Sequence, residues 1–130
     1  MPKSETYANE ILDYLFGSGT PATLYFGLYT DMPDPDGSGG TEVTGGSYAR
    51  ASKTNNGTNF PAASAAAKSN ATAITFATAS ALWGDVVGVG VFAAGSGGTP
   101  YYFGELENDR VVDIGDVFSF AIDQLIFTEA

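Results

Sequence analysis

The chain has 130 residues, with 15 acidic and 5 basic side chains and a formal net charge of −10. Such a surface repels phosphate backbones and anionic lipid headgroups, which argues against nucleic-acid and membrane partners. The absence of cysteine and histidine removes disulfides, thiolate metal sites and nucleophilic triads of the usual kind.

The length suits a single domain over residues 1–130. A hydrophobic content of 44% and an aromatic content of 13% suffice for a packed core. Residues 1–6 lack the basic start and apolar run of an export signal, and no apolar run reaches the ~18 residues of a membrane span. The expectation is synthesis in a cytoplasm without signal-directed export.

Residues 4–16 read as an amino-terminal α-helix. Ser4 is a suitable cap, Glu5 suits the positive end of the dipole, and Gly17 is a natural stop. Tyr7, Ile11, Tyr14 and Leu15 form an apolar stripe. That stripe either caps an open end of the fold or docks on a neighbouring subunit. Residues 23–30 alternate as a strand, with Leu24, Phe26 and Leu28 on one face and Tyr25 and Tyr29 on the other. Residues 31–46 are a proline- and glycine-rich loop. A short strand falls within 47–53. The segment 54–70 is poor in large side chains and reads as a long loop, either mobile or laid over another surface.

Further strands are expected at 72–76, 86–93, 101–106, 117–122 and 124–128, with a turn at Asn108-Asp109. In the strand 86–93, Gly88 and Gly90 leave one face bare, so something must approach it closely; the Trp83 ring or another strand would serve. Short, frequently punctuated strands after one helix define the fold class: mainly β, a single antiparallel β-sandwich or jelly-roll-like barrel over 23–128 with one N-terminal α-helix.

Candidate chemistry is sparse. Glu105 and Glu107 share a strand face at a spacing that glycosidase carboxylates could use, and equally suit a solvated face. Asp31, Asp34, Asp36 and Glu42 cluster in a loop, but their spacing does not match a calcium-binding signature. Trp83, Tyr101 and Tyr102 could stack on sugar rings as a glycan platform, or pack in the core. No catalytic residue, metal site or cofactor is assigned, and an enzyme is not expected. Protein contact is the favoured role, with Tyr7, Ile11 and Tyr14 on the helix, Phe60 in the long loop, and Arg50 and Lys53 as scarce cations meeting an acidic neighbour. Arg50 has an equally good internal partner in Glu42.

Several segments carry a resemblance: Leu15-Phe16-Gly17; residues 21–30 (PATLYFGLYT); residues 41–50 (TEVTGGSYAR); Ile74-Thr75-Phe76; Trp83-Gly84-Asp85; residues 87–92 (VGVGVF); and residues 113–120 (DIGDVFSF). In this order they resemble a family of small bacteriophage virion proteins, often labelled tail fibre proteins, across nearly the whole chain. The most specific part is Glu42-Val43-x-Gly45-Gly46-x-Tyr48-Ala49-Arg50. The resemblance implies a structural role on the virion exterior and a protein made in the bacterial host cytoplasm. The chain shows no heptad, collagen-like or β-helix period. That favours a capsid decoration (cement) protein, a trimer or dimer bridging the major capsid protein or other virion proteins. The alternative is a tail-fibre or tail-tip component that binds host glycans.

Overall fold

The structure is a computed structural model that describes residues 4–128. Residues 1–3, part of the segment read as lacking an export signal, lie outside the described residues. The described chain runs α1 (Glu5–Leu15), β1 (Thr23–Asp31), β2 (Thr41–Glu42), β3 (Ala51–Thr54), β4 (Ala67–Ser69), β5 (Ile74–Thr75), β6 (Gly84–Phe92), β7 (Tyr102–Val112), β8 (Ser119–Phe120) and β9 (Ile126–Thr128). The fold is mainly β and sandwich-like, with one helix. A five-stranded sheet has the order β2-β1-β6-β7, with β3 also paired to β1; β4 pairs with β9 and β5 with β8. The path ends at β2 and β7, so the sheet does not close and the barrel alternative is excluded. Among the described residues no helix is long and apolar enough to cross a membrane.

The chain divides into two compact units. The first comprises Met1–Thr23, Lys53–Ile74 and Ser119–Ala130. Its helix starts where Ser4 Oγ accepts the Tyr7 N–H at 3.2 Å, satisfying one of the unpaired amides of the first turn. It ends at the Phe16 cap, whose N–H donates to the Leu12 carbonyl at 2.9 Å; Gly17 then takes φ +87°, a conformation open to glycine.

Ala8, Leu12 and Phe16 are buried. They follow i, i+4, i+8 spacing and form the inner face of α1. The expected stripe of Tyr7, Ile11 and Tyr14 lies on the opposite side. The small Ala8 allows close packing, whereas large side chains dominate a stripe read from hydrophobicity alone. Phe16 stacks on Phe127 with ring centroids 3.9 Å apart, and Phe60 sits 5.7 Å from Phe16.

Segment 54–70 is held against α1. Asn55 Oδ1 accepts the Gly17 N–H, and its Nδ2 donates to the carbonyls of Leu15 (2.7 Å) and Pro21 (2.9 Å). Asn9 and Asp13 side chains accept the N–H groups of Ala66 and Ala63, each at 2.9 Å. Lys68 donates to Asp13 at 2.8 Å and to the Phe16 carbonyl. This is the extended-segment reading of that stretch, with a backbone that α1 side chains satisfy.

The second unit comprises Leu24–Ser52 and Thr75–Phe118. β1 and β6 pair antiparallel with Gly27 opposite Gly90 and Tyr29 opposite Gly88. Its core includes Phe26, Leu28, Val86 and Val112, all fully buried. The bare face of Gly88 is covered by Met32: a methyl at Gly88 would overlap Met32 Sδ and lie 2.9 Å from the Gly104 carbonyl oxygen. At Gly90 the approaching groups are the Tyr29 and Phe92 rings. Trp83 is therefore not the covering group.

Strand β7 corrects the expected turn at Asn108-Asp109. It continues to Val112, with Val86 opposite Arg110 but Gly88 opposite Glu105. Residues 106–109 are absorbed as a bulge, which accommodates turn-forming residues without ending the strand. The strand expected at 117–122 contracts to β8, and Ile122 is exposed.

Candidate protein-docking surface

The outward face of α1 is built from helical spacing alone. Tyr7, Glu10, Ile11 and Tyr14 are separated by three or four positions, so they lie together over two turns. They line an open groove of about 330 Å³. Tyr14 is 85% exposed and Tyr7 56%, while Ile11 is half-buried between them. The opposite face of the same helix is packed at Ala8 and Leu12, and the bonds from Asn9 and Asp13 pin the helix along its length. Two rigid tyrosines on an immobilised backbone lose little entropy on contact with a partner.

Burial alone would raise the Asp13 carboxyl. The hydrogen bonds from Lys68 and the Ala63 N–H, with the Lys68 charge, outweigh it and hold the group below its ordinary value.

The other polar cluster is internal. Glu42 accepts from Arg50 Nε (2.9 Å), Arg50 Nη2 (2.8 Å) and the Tyr48 hydroxyl (2.6 Å). Tyr48 in turn accepts the Leu28 N–H at 2.9 Å. Arg50 Nη1 donates to the carbonyls of Ala94 (2.8 Å) and Gly97 (2.9 Å), and the guanidinium lies 3.4 Å from the Phe92 ring centroid.

Burial would raise the Glu42 carboxyl, yet hydrogen bonds from Arg50 and Tyr48 and the Arg50 charge depress it. Burial, then the hydrogen bond to Glu42, pushes the Tyr48 hydroxyl far up, so it stays protonated. These residues come from one continuous segment, 42–50, which carries the most specific part of the resemblance. That segment encodes a folding clamp that fastens β2 and the 93–98 loop.

The remaining expected site residues separate clearly. Arg50 is buried in this clamp, so its internal pairing with Glu42 replaces the expected contact with an acidic neighbour. Phe60 is 1% exposed in the aromatic core of the first unit, and its ring does not reach a surface. Lys53 is half-buried on β3. Trp83 is 6% exposed: its Nε1 donates to the Gly46 carbonyl at 2.9 Å and its ring meets Tyr48 edge-on at 5.3 Å. It cannot form a sugar platform with Tyr101, which is exposed, and Tyr102, which is half-buried. Glu105 and Glu107 are exposed on β7.

Sequence reasoning missed the buried amides Asn55 and Asn70. Asn70 Nδ2 donates to the carbonyls of Thr72 and Ala121, while its Oδ1 accepts the Leu125 N–H. It also missed Lys68 as the cation at the helix carboxyl end. Apart from Thr72 beside Asn70, their partners are distant in sequence, so no local signal marks them.

A β-rich protein whose polar clusters serve its own packing, and whose helix presents aromatic side chains outward, has the features of a structural, contact-making module. The family model described as Gp80, Podophage GP4 fiber I protein gp80, matches residues 2–128. The chain belongs to this phage fibre family and is a virion structural protein. No curated protein matches the chain.

Proposed function

We propose that the chain is a subunit of a phage fibre on the virion exterior, held there by protein contacts through the outward face of α1. The observation that carries this reading is the two-sided helix: Ala8, Leu12 and Phe16 are packed within the chain, while Tyr7 and Tyr14 stand uncovered. Aromatic side chains displayed on a fixed scaffold are typical anchors of protein contacts. The family description, which names a fibre protein, supports the tail location. The role is attachment and not catalysis: Glu105 and Glu107 stand exposed on β7 at the end of the sheet path, outside any enclosed cleft. Self-association into a dimer or trimer is compatible with this role.

Immunogold labelling of purified particles, with mass spectrometry of separated heads and tails, tests the location. Label confined to tail appendages is expected. A second reading, capsid decoration, is favoured by the lack of any extended fibre repeat in these 130 residues. Label spread over the heads would select it.

A further inference from the structure

We propose that the Tyr7–Glu10–Ile11–Tyr14 face of α1 receives a different virion protein, whose matching surface carries Lys or Arg beside aliphatic side chains, and not a second copy of this chain. The inference rests on the attachment reading above and adds the chemistry of the partner.

Glu10 lies within the apolar groove, and Glu5 occupies the first turn of the same helix, whose last turn has no basic residue. Covering Glu10 with an uncharged apolar surface would strip its water without compensation, so the occupant must bring a cation. A second copy has little to offer. The chain has 5 basic residues against 15 acidic ones. Arg50 is committed to Glu42 and Lys68 to Asp13, both with side chains almost fully buried. Among the described residues that leaves Lys53, half-buried on β3, and one exposed cation, Arg110, whose guanidinium lies over the Phe118 ring and donates to the Val117 carbonyl. Two acidic copies face to face would instead set Glu10 against like charge.

The test uses phage carrying single substitutions, with copies of the chain per purified particle counted by quantitative mass spectrometry. Glu10→Lys should lower the copy number by about tenfold and Glu10→Gln by less. Glu107→Lys, on the exposed strand, should incorporate normally. Melting of each purified variant checks folding. Should Glu10→Lys fold poorly, Tyr14→Ala, at the most exposed position of the face, must show the same loss of incorporation.

Carbodiimide treatment of wild-type particles should join Glu10 to a lysine of another virion protein. Wild-type incorporation of both Glu10→Lys and Tyr14→Ala would overturn the proposal, as would a Glu10 cross-link to Lys3 or Lys53 of a second copy. In either case the fibre location stands, but wild-type incorporation of both variants would remove α1 as the attachment face. A wild-type chain missing from purified particles would overturn both.

Discussion

Glu42 takes two hydrogen bonds from the Arg50 guanidinium, at 2.9 Å from Nε and 2.8 Å from Nη2, while the other terminal nitrogen of Arg50 holds two loop carbonyls. One buried cation therefore closes both a strand pair and the 93–98 loop. Arg50→Ala should destabilise the fold by about 3 kcal/mol, because it strands a partly buried carboxylate and two carbonyls. Arg50→Lys should recover only part of this, since an ammonium cannot reproduce the fork. Urea denaturation of the two variants measures the difference.

This clamp and the separate Asp13–Lys68 pair set a pH dependence. Glu42 and Asp13 have carboxyls held below their ordinary values. Their contribution is present above the unfolded carboxylate range of about 4 and is lost as pH falls through the lower, folded values. Tyr48 works in the opposite sense. Its raised hydroxyl contributes below the unfolded tyrosine value of about 10 and loses that contribution as pH rises beyond it. A melting-temperature profile should be flat across neutral pH and fall on both sides. Tyr48→Phe should shallow the alkaline limb; an unaltered limb would show that the burial of Tyr48 does not govern it.

Close approach at Gly88 gives a third expectation. A methyl group there meets Met32 and the Gly104 carbonyl oxygen, so Gly88→Ala should cost about 1–3 kcal/mol through overpacking. Adding Met32→Ala should restore only part of the loss, because the carbonyl belongs to the neighbouring strand and cannot withdraw as a side chain can. A double-mutant cycle on unfolding free energies separates the two contributions.

What was legible in the sequence depends on how local its cause is. The ends of α1 were readable because Ser4 and Gly17 act within one turn of the chain. β1 and β6 were readable because their apolar alternation persists for several residues. The buried face of α1 was not, since choosing Ala8 over Tyr7 depends on what packs against the helix. β2 and β4 escaped because each is two or three residues long and lies in a glycine- or alanine-rich segment; β4 exists through pairing with β9, more than fifty positions away. Arg50 had two readable partners, an outside acid or Glu42, and only the fold chose between them. The bulge in β7 hid behind Asn108-Asp109, whose local preference for a turn was overridden by pairing with β6.

The single tryptophan of the chain makes its own placement measurable. Trp83 donates its indole N–H to the Gly46 carbonyl and packs edge-on against Tyr48, with 6% of its surface exposed. A ring so enclosed should emit with a blue-shifted maximum and resist quenching by iodide, and both properties should vanish on unfolding. Trp83→Ala should cost about 3–5 kcal/mol as a large cavity opens in the core of its unit. Loss of infectivity in that variant would then follow from instability. Tyr101→Ala, at an exposed position that leaves the core intact, is the cleaner probe of glycan contact by the same region. Adsorption of Tyr101→Ala phage should match wild type; a deficit without a change in melting temperature would reveal a sugar contact that the enclosed tryptophan cannot make.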